Sequence, residues 1–437
     1  MQLPSCAAEP SAARVIIIDT GPNIGSDPTP GMPARRAALR LLDAVLRRGE
    51  TLEQAGGAMR GLPGEDRGLA LAIAAETLRW LGDLDALIDS ATAQTLPGDA
   101  KPRAVLRLML AQALRLGTPP HAVIATALPL LTGGPKRLAH GVFSALLRRE
   151  VQLPAQPTLP AMVAERWDRA LPGRTAAIAA ALAEPPPLDL SLRDPSETAL
   201  WCERLGGISL APGHVRLPRG TAIEALPGFS DGGWWVQDFA ARLPALLLGD
   251  GEGRRVLDLC AAPGGKTLQL AAAGWQVTAL DKSARRLERL EANLARAGLS
   301  ADIVTGDALV WQPTERYDAI LLDAPCTATG TCRRHPDVLH RIAAPQIAEM
   351  AELQAALLAR AAAWLAPGGR LVYAVCSLEP EEGDAQVAAV MLAPDPIRAD
   401  ELPAGLLPAP DGSLRTDPAM LAEAGGMDGF FIARWRV

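Results

Sequence analysis

Residues 256–267 read Val-Leu-Asp-Leu-Cys-Ala-Ala-Pro-Gly-Gly-Lys-Thr. That order spells a buried strand, a turn of small residues and a helix start, and a turn so placed lifts backbone amides toward a ligand. The same alternation recurs along the rest of the chain. Segments 255–259, 276–280, 302–305, 317–322 and 370–375 are strand-like, and 429–435 suits a last strand. Segments 283–297 and 345–365 have a helical period, the second halted by Pro367-Gly368-Gly369. Strands alternating with helices predict a Rossmann-like α/β domain over 251–437, its sheet mostly parallel and its ligands at the carboxyl ends of the strands.

A chain of 437 residues exceeds one ordinary core and is expected to be multidomain. Over 34–150 the pattern is helical throughout. Leu39, Leu42, Val45 and Leu46 form one apolar stripe, and Ile73, Leu78, Val105, Leu108 and Met109 continue the period. Beyond residue 150 the chain is punctuated by Pro154, Pro157, Pro160 and Pro172, then by Pro185-Pro186-Pro187, so 151–250 reads as a linker with a short mixed segment. Residues 1–33, with scattered Pro, Ser and Gly, read as a poorly ordered leader.

A net charge of −6 argues against nonspecific nucleic-acid binding, but the distribution is uneven. Residues 101–150 hold eight Lys and Arg against one acid, a local basic face able to hold RNA. Six scattered cysteines do not form a disulfide framework, and no apolar run nears the roughly 20 residues of a membrane span. A monomer in the reducing cytoplasm is the expectation, with no membrane partner. Lys occurs only at 101, 136, 266 and 282, so Lys266 within the glycine turn is not background.

The second strand ends in Asp281, placed to accept both ribose hydroxyls of an adenosine cofactor, and Gly306-Asp307 follows the third. Three strand ends, each with a polar group, suit S-adenosylmethionine better than a dinucleotide. A phosphate loop would need Gly where Cys260 stands. Asp323-Ala324-Pro325-Cys326 follows the fourth strand and Cys376 the fifth, which puts an acid and two thiols at the cofactor edge. That set fits methylation of a pyrimidine at carbon 5: a thiolate adds to carbon 6, and a carboxyl group at N3 and the exocyclic amine stabilises the developing charge. Cys326, Cys332, His335 and His340 imitate a zinc set but lack the long spacer between the Cys and His pairs, so no metal is expected. Arg333-Arg334-His335 is expected to meet substrate phosphates.

These motifs resemble those of the Sun (RsmB-type) RNA cytosine-C5 methyltransferases: residues 256–266, Asp281, Asp307, 323–326 with Arg333-Arg334-His335-Pro336-Asp337, and 372–382. Val236-Gln237-Asp238 and Asp428-Gly429-Phe430-Phe431 belong to the same likeness. Residues 34–150 are similar to the fused NusB-like, all-α RNA-binding domain of that family, through Asp66-Arg67, Leu78-Arg79 and Leu146-Leu147-Arg148. The resemblance implies Cys376 as nucleophile, Cys326 in adduct release, Asp323 on the cytosine and Lys266 ordering the site. It implies a methyl donor bound or bordered by Cys260, Ala261, Ala262, Pro263, Gly264, Gly265, Lys266, Asp281, Asp307 and Asp323, and a cytosine in 16S rRNA as substrate. Thr327-Ala328, Val375 and Gly383 depart from the family's usual Ser-Gly, Thr and Asn, which leaves the target base and its context open. Two alternatives stand beside this reading: an RNA-binding assembly or antitermination factor with a vestigial methyltransferase fold, or the same chemistry on tRNA.

Overall fold

The computed structural model describes residues 30–437, so the leader expected over 1–33 falls almost wholly outside the described residues. Eleven strands are described: β1 (Leu188–Leu192), β2 (His214–Leu217), β3 (Trp234–Val236), β4 (Arg255–Leu259), β5 (Gln276–Asp281), β6 (Asp302–Thr305), β7 (Tyr317–Asp323), β8 (Leu365–Val375), β9 (Ala393–Pro394), β10 (Leu414–Arg415) and β11 (Phe431–Arg436). The large sheet runs β10-β11-β8-β7-β4-β5-β6, with β9 beside β11. From β6 to β8 every pair is parallel, and β11 inserts antiparallel to β8. A mostly parallel α/β domain is what the alternation of segments predicts.

The period-two pattern explains how the sheet buries both faces. Val256, Val277, Leu321, Val372 and Ile432 point to one side. Leu257, Leu259, Ile320, Leu322, Leu371 and Tyr373 point to the other, against Leu357, Leu358 and Ala361 of helix Ala344–Ala363. One boundary needs correction: Leu365, read as the end of that helix, begins β8, because it pairs with Tyr317 and is fully buried there.

Six α-helices, Met32–Arg48, Gly64–Arg79, Leu81–Asp89, Lys101–Leu114, Pro120–Ala127 and Gly133–Arg148, form the helical region around Leu41, Leu42, Ile73, Leu108, Met109 and Phe143. The first shows why such segments start and stop where they do. Pro33 sits in its opening turn, Arg47 and Arg48 face the negative end of its dipole, and Gly49 closes it in the left-handed conformation. The basic run of 101–150 is partly spent inside this region. Arg103 and Arg107 pair with Asp85, and Arg115 pairs with Glu76 and Glu184, so three of its cations serve packing rather than a nucleic-acid face.

Between the two lie helices Ala161–Ala170 and Thr175–Ala181, then a small antiparallel sheet in the order β2-β1-β3. The linking region is therefore largely folded, and Trp167, Ile178 and Leu182 pack against Cys332, Val338 and Leu378 of the α/β domain. The helical region docks on the same segment. Buried Arg79 donates to the carbonyls of Arg333 (2.8 Å) and Leu182 (3.0 Å), and His340 Nε2 lies 2.7 Å from the Leu78 carbonyl. Among the described residues no helix is long and apolar enough to cross a membrane.

Candidate active site

The site begins at the carboxyl end of β4. Cys260 takes a positive φ of 62° and Gly264 one of 107°, and the helix Gly265–Ala272 opens directly after. A Cβ on Gly264 would lie 2.8 Å from Leu290 Cγ, so only glycine fits both the conformation and the space. Asp281, buried at the end of β5, braces this turn: its Oδ2 accepts the Ala262 N–H (3.2 Å) and its Oδ1 the Ser283 N–H (2.8 Å). Asp307 stands apart, exposed past β6, where its Oδ1 accepts the Leu309 N–H at 2.8 Å. The Cys260 side chain borders the apolar cluster on one sheet face; burial pushes its thiol up to about 12, and its part in the turn is played by backbone.

A cleft of about 380 Å³ opens beside the turn, walled by Ala261, Ala262, Pro263, Gly265, Lys266, Asp323 and Cys376 of the residues expected at the site. Lys266 Nζ donates to Asp323 Oδ2 at 2.7 Å and lies 5.3 Å from the Phe430 ring centroid. Cys376 Sγ is 3.4 Å from Cys326 Sγ, which stands just behind the cleft wall. The hydrogen bond with Cys376, then burial and the nearby Glu382 carboxylate, push the Cys326 thiol well above its ordinary range, so Cys326 holds its proton at neutral pH. A larger cavity of about 620 Å³ opens on the helical region beside Leu39, Leu42 and Leu46, but no cysteine or histidine lines it.

Several site residues carry a weight that strand and helix periods alone do not assign. Asp258, in the middle of apolar β4, is fully buried and yet borders the cleft. Burial raises its carboxyl to about 7, and its Oδ1 has no protein partner. An acid flanked by Leu257 and Leu259 inside a buried strand is the signal the sequence offers. Asp238 and Asp428 form the second such group. Burial, then the charge of Asp428, raises Asp238 to about 6, and the pair binds Arg333 and Arg334.

That arrangement corrects the expectation for Arg333-Arg334-His335. Arg333 is 1% exposed and is taken up by Asp238, Asp428 and the Gly425 carbonyl, so it cannot reach a substrate phosphate. Arg334 Nε donates to Asp428 Oδ2 at 2.7 Å, but its side chain remains 39% exposed on the cleft, and His335 is exposed. The four residues with zinc-like spacing do not gather: Cys332 lies in an apolar cluster and His340 is bonded to Leu78. Among the described residues no group of three metal-ligating side chains occurs.

The cleft thus joins a backbone turn for a nucleoside-like ligand, a buried acceptor in Asp258 suited to an amine, and a thiol able to reach a second ligand beside it. An adenosyl donor with a charged amine fits that donor and acceptor set.

Comparison with known proteins agrees with this layout. The family model described as 16S rRNA methyltransferase RsmB/F matches residues 245–436, and that of the NusB family matches 32–149. Ribosomal RNA small subunit methyltransferase B of Klebsiella pneumoniae is 34% identical over 429 residues, 92% of this chain and 97% of that protein. The protein of the same name from Escherichia coli O157:H7 is 34% identical over 75% of this chain and 82% of its own. The crystal structure of PH0851 shares the fold at a TM-score of 0.70, with 22% identity, over 94% of this chain and 99% of that one. So does NSun6 from Pyrococcus horikoshii with SFG, at 0.56 and 20%, over 63% of this chain and 98% of that one. Likeness at 34% identity along nearly the whole of both chains exceeds a shared fold, and it puts this chain in the RsmB/F family of 16S rRNA methyltransferases.

Proposed function

We propose that the protein methylates carbon 5 of a cytosine in 16S rRNA, with S-adenosylmethionine as donor and Cys376 as a transient covalent nucleophile. The observation that carries this reading is the placement of the two thiols: Cys376 on the cleft wall with Lys266 and Asp323, and Cys326 3.4 Å behind it. When bound, the donor supplies an electrophilic methyl group on a sulfonium centre. Residues 260–266 and Asp281 would hold its adenosyl part and Asp258 would take its amine, while Asp307, outside the cleft wall, would border the adenine.

Carbon 5 of cytosine is too weak a nucleophile to accept a methyl group unaided. The Cys376 thiolate adds to carbon 6, and the electron pair released makes carbon 5 nucleophilic. Asp323 stabilises the charge that develops around N3 and the exocyclic amine, and the Lys266 ammonium holds that carboxylate in place. After transfer the carbon 5 proton must leave and the carbon–sulfur bond must break. Cys326, 3.4 Å from Cys376, stands where it assists that release of the adduct. The target base reaches such a cleft only when unstacked from its RNA. The working form is a cytoplasmic monomer with RNA as its partner and no metal.

The test is transfer from labelled donor to unmodified 16S rRNA and, in parallel, to tRNA. The wild type is expected to label the ribosomal RNA, and Cys376→Ala to lower labelling by at least ~10³-fold. Cys326→Ala is expected to accumulate a covalent protein–RNA complex. The reverse pattern in the two variants would overturn the assignment of the thiols, and labelling of tRNA alone would overturn the substrate.

A further inference from the structure

We infer that Glu382 is a positioning residue whose single carboxylate clamps the loops after β7 and β8 together and thereby sets the spacing of Cys326 and Cys376. Its relevance to turnover rests on the chemistry proposed above; the geometry stands apart from it. Glu382 is fully buried. Its Oε1 accepts the Thr327 N–H at 2.8 Å and the Gln354 Nε2–H at 3.0 Å, and its Oε2 accepts the hydroxyls of Thr327 and Ser377. Thr327 directly follows Cys326, and Ser377 directly follows Cys376. One side chain therefore grips the residue next to each thiol.

The surrounding contacts leave the clamp little freedom. Ser377 Oγ accepts the Glu379 N–H at 3.1 Å, so its own proton is directed at Glu382. Gln354, fully buried on helix Ala344–Ala363, gives its second Nε2 hydrogen to the Pro325 carbonyl at 2.8 Å, just before Cys326. The Gly330 N–H donates to the Cys376 carbonyl at 3.0 Å, and the Leu378 N–H to Thr329 Oγ1 at 3.0 Å. Gly330 cannot carry a Cβ, which would lie 2.1 Å from the Gly429 oxygen, so the first loop is also wedged from behind. Four donors converge on this one buried carboxyl group, so its loss strands all four. Glu382 does not line the cleft, so it acts through the thiols rather than on the substrate.

The clamp is tested by thiol coupling and kinetics together in the full-length protein. A mild diazene oxidant such as diamide takes two hydrogens from the thiols to form a disulfide, and peptide mapping follows the Cys326–Cys376 link. Wild type is expected to couple fast, and Glu382→Ala at least ~10-fold more slowly, with kcat down by ~100-fold and donor affinity within ~3-fold. Glu382→Gln, which keeps one acceptor oxygen, is expected to recover most of both losses. If Glu382→Ala does not fold, Thr327→Val and Ser377→Ala each remove one hydroxyl and should shift both readouts the same way, by less. Wild-type coupling in variants that have lost activity overturns the clamp. If the protein transfers no methyl group to cytosine, only the kinetic arm fails, and the coupling rates still decide the inference.

Discussion

The turn at 260–265 and the segment at 324–341 border the same cleft, yet they are held in opposite ways. The turn is local: Gly264 supplies the left-handed φ, and its brace, Asp281, comes from the adjacent strand. The second segment is fixed from a distance. Arg79 reaches the Arg333 carbonyl from the helical region, Asp238 and Asp428 take the Arg333 and Arg334 guanidinium groups, and Gln354 and Glu382 hold its start. Remote contacts tie the helical region to the cleft wall at Thr331 and Arg334.

Breaking the remote contacts should cost most. Arg333→Met leaves buried Asp238 without its cation, while Asp428 keeps Arg334, and is expected to destabilise the fold by about 3–5 kcal/mol, read by urea unfolding. The local turn should respond less. Gly264→Ala meets both the positive φ and Leu290 and is expected to cost about 1–3 kcal/mol in the same measurement. Equal losses would erase the contrast between the two segments.

The smallest effect sharpens the electrostatics of the turn. Burial raises Asp258 to about 7, so it is protonated below that value and becomes a carboxylate above it. An amine ligand favours the ionised form, so donor affinity is expected to rise roughly tenfold from about pH 5.5 to about pH 7. Asp258→Asn should flatten that profile in calorimetric titration. An unchanged slope in the variant would remove Asp258 from the donor site.

The contrast also explains what is legible in the chain. Strand and helix periods locate β4 and β6 to the residue, because apolar alternation is a local signal. The turn, Lys266, Asp323 and both thiols are legible for the same reason: each sits at the end of a readable strand. Arg333 reads as a phosphate ligand because adjacent arginines reveal charge but not the side each faces, and its acids lie about a hundred residues away on either side. Leu365 reads as helical because a lone apolar residue between two periods belongs equally to both. Glu382 is visible only as part of a motif; its role depends on Thr327 and Gln354, which no sequence spacing brings together.

The covalent role of Cys376 is tested most directly by mass spectrometry of the complex trapped with Cys326→Ala, methyl donor and 16S rRNA. The expected species is a modified nucleotide bonded to the peptide that contains Cys376, with the methyl group already on its base. A nucleotide bonded to any other residue, or labelled RNA released at wild-type rate with no trapped species, would contradict it.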